Sequence, residues 1–155
     1  MPRIVPATPA DAPAVADVFL AARATMRYLP HLHTDEETRA FVADVVLARQ
    51  EVHLARDDDG AVLGFAAVEG AWLQHLYVAP RSWGRGTGTL LLEHVLARRD
   101  AVGGALLLHV FQRNVGARRL YERHGFHLVA TGDGGGNEER EPDATYRRPP
   151  SPRSP

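Results

Sequence analysis

One stretch constrains this chain more than any other. "WLQHLYVAP" reads as an apolar strand stopped by Pro80, "RSWGRGTG" places Gly84, Gly86 and Gly88 two apart, and "TLLLEHVLARR" carries Leu91, Leu92, Val95 and Leu96 at helical spacing. A glycine inside a helix costs about 1 kcal/mol relative to alanine, so three in five residues belong to a loop. The expectation is a strand ending at Val78, a glycine-rich turn, and a helix from about Gly88 to Arg99. Backbone N–H groups are unpaired at such a helix start, the helix dipole favours negative charge, and missing side chains let a ligand come close. Arg85 adds a cation. The stretch therefore reads as an anion site, with a tight turn needing positive φ at one glycine as the plain alternative. The spacing is GxGxG, not the GxGxxG of a dinucleotide fingerprint, which disfavours a nucleotide-phosphate binder.

The remaining pattern surrounds this unit with both periods. "RIVPA" is a short extended segment. Thr8, Pro9 and Asp11 then open a helix whose apolar face is Val15, Val18, Phe19 and Ala22. Thr34 and Glu37 form a capping-box pattern ahead of a second stripe, Phe41, Val42, Val45 and Val46. From Glu51 the period becomes two, and "EVHLARDDDGAVLGFAAVEG" reads as a hairpin. "ALLLHVF" is a nearly continuous apolar strand, the kind buried on both faces beside a parallel neighbour. "VGARRLYERHG" is a helix stopped by Gly125, "FHLVATG" a strand, "GDGGGNEEREPD" a flexible polar loop, and "ATYRR" a last strand. The order of elements predicts one mixed α/β domain over residues 1–148, with a mostly antiparallel sheet of about six to seven strands flanked by four helices. Residues 149–155 read as a flexible Pro/Ser tail.

Composition excludes several functions. The net charge of −1 argues against a general nucleic-acid or membrane binder. With no cysteine there is no disulfide, thiolate metal site or cysteine nucleophile. All 18 basic residues are arginine, so a GxxxxGK phosphate loop cannot exist and the chain cannot acetylate a lysine of its own. No stretch has the apolar run of a signal peptide or membrane span, which gives the expectation of a soluble, cytoplasmic protein.

"LYVAPRSWGRGTGTLLL" followed by "NVGARRLYERHGF" resembles the two core motifs of the GCN5-related N-acetyltransferase family, and the element order is similar over residues 3 to about 148. The resemblance implies the acyl-CoA N-acyltransferase fold, acetyl-CoA as co-substrate, and its pyrophosphate as the anion at Gly84, Arg85, Gly86, Thr87, Gly88 and Thr89. Trp83 departs from the family pattern, standing where Gln or Arg is usual. The backbone amides of residues 84 to 89 do not depend on it. The resemblance also implies that Leu76, Tyr77 and Val78 offer backbone groups to the pantetheine arm and the acetyl carbonyl, that Asn114 contacts the arm, and that Tyr121 protonates the leaving thiolate. Asn114 also reads as an ordinary helix N-cap, and both roles can hold together.

Transfer to a primary amine needs the amine neutral, and its pKa near ~10 keeps it protonated at pH 7, so a base is expected. Glu69 and His75, on adjacent strands, are the candidates. The resemblance also implies that "YLPHLHTDEE" lies where acceptor specificity is built; its His31 and His33 lack a third ligand, so no metal is expected. Glu138, Glu139, Glu141 and Asp143 read either as a solvated run or as an acidic lip that attracts a cationic amine. A small-molecule or peptide amine is the expected acceptor. A homodimer with "ALLLHVF" near its contact is a further expectation. The rival is a non-catalytic acyl-CoA-binding or sensing module, which keeps the glycine loop and has no use for Tyr121.

Overall fold

The computed structural model describes residues 2–151; residues 152–155 of the expected tail lie outside them. In chain order the strands are β1 (Arg3–Pro6), β2 (Glu51–Arg56), β3 (Val62–Glu69), β4 (Trp72–Val78), β5 (Leu106–Phe111), β6 (His127–Gly132) and β7 (Asp143–Arg148). They form one sheet in the order β1-β2-β3-β4-β5-β7-β6. Every pairing is antiparallel except β4 with β5.

Four helical rods pack on this sheet. α1 (Ala12–Ala24) follows a 3-10 turn, Pro9–Asp11, in which the Asp11 carboxylate accepts from the Thr8 N–H at 2.8 Å. The second rod is α2 (Asp35–Phe41), a π-helical turn (Val42–Val46) and α3 (Leu47–Arg49) in one run. Its start is the expected capping box: Glu37 N–H donates to Thr34 Oγ1 at 3.0 Å, and Thr34 N–H to Glu37 Oε1 at 2.9 Å. α4 (Thr87–Val102) and α5 (Val115–Arg123) complete the set.

The sheet separates two cores. On one face Leu91, Leu92, Val95 and Leu96 of α4 and Tyr121 of α5 meet Leu106, Leu108, Phe126 and Tyr146. On the other, Val15 and Val18 of α1 and Val42 and Val46 meet Leu54 and Phe65. Each fully buried aliphatic or aromatic side chain here contributes on the order of 2 kcal/mol, which fixes which face each helix presents.

β5 differs from expectation. Leu106, Leu108 and Val110 are buried, but Leu107 and Phe111 are half-buried and His109 is exposed. The cause is coverage: α1 lies over β3 and β4, one strand short of β5. The apolar run is therefore buried on one face only, and its other face borders open space.

Candidate active site

That open space is a cleft of ≈ 1090 Å³ between the C-terminal halves of β4 and β5. The two strands pair only at Trp72↔Leu107 and Leu73↔Leu108 and then part. A bulge assists. Leu73 pairs with Val68 and His75 with Ala67, so Gln74 is an extra residue on β4. Leu73 and Leu76 consequently face the same core three residues apart, while His75 and Tyr77 turn toward α1.

The glycine turn closes one end. Gly84 and Gly86 have φ of +77° and +80°, a region that favours glycine, and a Cβ at either would meet nothing within 4 Å. The plain turn is thus real, and it leaves its concave side open. Helix α4 starts at Thr87, one residue before the expected start, so the free N–H groups of its first turn sit at the mouth of the cleft. The Thr87 hydroxyl is buried there without a hydrogen bond inside the protein. Gly84, Gly86, Thr87, Gly88 and Thr89 line the cleft, whereas Arg85 stands exposed outside its lining. These features fit a pyrophosphate: a helix start, a turn free of side chains and a hydroxyl awaiting a partner.

Across the cleft, Asn114 is the N-cap of α5. Its Oδ1 accepts from Ala117 N–H at 3.3 Å, which leaves the amide NH₂ for a ligand. Tyr121, about two turns further along α5, is 7% exposed and lines the cleft. Burial, with Tyr77 nearby, pushes its phenol well above the usual tyrosine range, so it stays protonated.

The two candidate bases separate. His75 lines the cleft among the rings of Phe19, Phe41, Phe65 and Tyr77. Burial, with the Arg23 cation adding to it, pushes its imidazole down to about 4. Glu69 does not share the cleft. It sits exposed at the β3–β4 hairpin, opposite Trp72, and accepts from Gln50 Nε2 at 3.5 Å. The expectation that both face the cleft fails because the strands part at the other end of β4.

The acidic loop also departs from expectation. Glu139 pairs with Arg23 of α1 at 3.0 Å, Glu138 with His33 at 3.1 Å, and the buried Glu141 with Arg113 at 2.8 Å. Asn137 holds the turn by donating to Glu141 O at 2.8 Å. The segment is therefore a strap tied to α1, to His33 and to Arg113 at the other end of the cleft, neither a solvated run nor a free acidic lip. Arg23 is its hub, since it also donates to Tyr77 Oη at 3.4 Å. Tyr28, whose ring lies beneath the Arg113 guanidinium and beside Phe111, completes that wall. Tyr28 and Arg113 line the cleft and Arg23 contacts its Tyr77 and Glu139; no local pattern marks these three, because their partners lie far away in sequence. Among the described residues no group of three or more His, Asp or Glu converges as a metal site, and no helix is long and apolar enough to cross a membrane.

Known proteins resemble this chain in sequence and in fold. The peptidyl-lysine N-acetyltransferase YiaC of Escherichia coli is 36% identical over 89 residues, a match spanning 57% of this chain and 58% of that protein. Among solved structures, the ribosomal-protein-S18-alanine N-acetyltransferase of Escherichia coli superposes with a TM-score of 0.76 at 22% identity, covering 99% of this chain and 97% of that one. A phosphinothricin acetyltransferase from Sinorhizobium meliloti in complex with AcCoA gives 0.75 at 19% identity, covering 97% and 89%. At such identities these structures show the fold alone. The Acetyltransferase (GNAT) family model matches residues 20–126, most of the chain, and the chain belongs to that family.

Proposed function

We propose that this chain transfers the acetyl group of acetyl-CoA directly to a primary amine. The observation that carries the reading is the junction of three features in one cleft: the glycine turn at the α4 start, the unpaired edge of β4, and the buried, protonated Tyr121. Acetyl-CoA supplies an activated thioester, a pyrophosphate, and an arm whose two amides match an open strand edge. The helix start and the Thr87 hydroxyl hold the pyrophosphate. The backbone of Leu76 and Val78 holds the arm and polarises the thioester carbonyl, and the Asn114 amide flanks it.

The amine nitrogen attacks the carbonyl carbon, the C–S bond breaks, the thiolate takes the Tyr121 proton, and the proton lost by the amine returns through water to the phenolate. His75, neutral at pH 7, serves as a hydrogen-bond acceptor that orients the attacking amine. An imidazole held near 4 is a poor resting place for the proton, which passes on to water. Positioning supplies most of the acceleration.

YiaC acts on peptidyl-lysine and the structural neighbour on the alanine of ribosomal protein S18, so lysine peptides and alanine N-terminal peptides head the acceptor screen, followed by polyamines and amino acids. The test is release of free CoA thiol with the wild type and Tyr121→Phe. Transfer is expected to fall roughly 10²-fold in the variant with acetyl-CoA affinity unchanged. Binding of acetyl-CoA without transfer to any amine, and no effect of the variant, would establish the sensing module instead.

A further inference from the structure

The unpaired edge of β4 is not uniformly free. Ala79 N–H donates to Leu63 O at 2.8 Å, toward β3. Alternation along an antiparallel strand then turns the N–H and C=O of Leu76 and Val78 to the opposite edge, where β5 has already departed. Two carbonyls and two N–H groups should therefore face the cleft. One of the carbonyls is taken: Trp83 Nε1 donates to Val78 O at 2.9 Å. The indole comes from the glycine turn, lines the cleft, and is 54% exposed. An indole this exposed gains little from burial, so the hydrogen bond is the specific contact that orients it.

We propose that Trp83 is a positioning residue that sets the register of the acetyl-CoA arm on β4, an inference that rests on the cofactor reading above. With Val78 O capped, the arm's amide N–H has Leu76 O as its acceptor on this edge. Equivalent positions along a strand edge recur every two residues, about 6.6 Å. An arm bound to Val78 O would sit that much closer to the glycine turn and hold its thioester short of Tyr121. The indole removes that choice, and its own turn supplies the pyrophosphate site. One segment thus fixes both ends of the arm.

The experiment titrates the ¹⁵N-labelled full chain with acetyl-CoA and follows the two indole N–H cross-peaks, with Trp72→Phe assigning that of Trp83. The Trp83 indole is expected to keep its protection from solvent exchange at saturation while the Leu76 amide shifts. Loss of that protection in the complex would overturn the proposal, because Trp83 would then have released Val78 O. In parallel, Trp83→Phe keeps a ring and frees the carbonyl. For the best amine of the screen, kcat should fall roughly tenfold or more, as expected for a misplaced reacting group, with the acetyl-CoA KM within about twofold. An unchanged kcat, or a loss confined to KM, would overturn the register role and leave Trp83 a brace for the turn. If no cross-peak moves at saturating acetyl-CoA, the cofactor reading itself fails, an outcome separable from both others.

Discussion

The two ends of the cleft are built from different material. The end proposed for the cofactor is mostly backbone: a strand edge, two glycines with positive φ, and the first turn of α4 lie within residues 76–90. The end proposed for the acceptor is side chains brought from afar. Arg23 meets Glu139 across 116 residues, and His33 meets Glu138 across 105. Backbone groups present the same amides whatever the local side chains are, so the first end suits a constant co-substrate. Side-chain pairs between distant segments can be exchanged one at a time without disturbing the sheet, which would suit the end proposed to select among acceptors.

If that contrast is right, disturbing the two ends should give separable losses. The largest is expected at the cofactor end. Gly86→Glu puts a side chain at φ +80° and a negative charge at the anion site, and acetyl-CoA affinity measured by calorimetry should drop by at least ~10²-fold. A variant that still binds would return the glycines to a purely structural turn.

His75 joins the ends through stability. Its folded-state imidazole is depressed from 6.5 to about 4, so below pH 6.5 the unfolded chain takes up a proton that the folded chain refuses. Stability from this group is complete above 6.5 and is lost as pH falls to about 4, a change on the order of 3 kcal/mol. Thermal melts across that window should show it, and His75→Phe, which suits the surrounding rings, should flatten it. An equal slope in the variant would assign the effect elsewhere.

Arg23→Ala leaves the part-buried Glu139 without its cation and unties the strap. We expect a loss of about 1–3 kcal/mol in denaturant unfolding and a raised KM for the amine, with acetyl-CoA affinity unaltered. Coupled loss of acetyl-CoA binding would break the separation of the two ends. The smallest effect belongs to His33→Ala: both members of its pair are about half exposed or more, so stability should move by no more than about 0.5 kcal/mol.

The sequence by itself determined the order of elements, the capping box at Thr34, the stripes of α1 and α4, and the glycine turn with its helix. Each is a local pattern, and local patterns report backbone preference and the buried face directly. Tertiary structure decided what those patterns do not encode. Whether β5 is buried on both faces depends on how far α1 reaches. Whether Glu69 shares the cleft depends on the end at which β4 and β5 part. The single bulge residue Gln74 decides that His75 and Tyr77 face α1, because one inserted residue reverses the facing of all that follow. The acidic run became a strap because its partners, Arg23, His33 and Arg113, are neighbours only in space. Trp83 breaks the sequence pattern, yet the fold brings its indole back to the Val78 carbonyl, a contact that exists only once strand and turn are both in place.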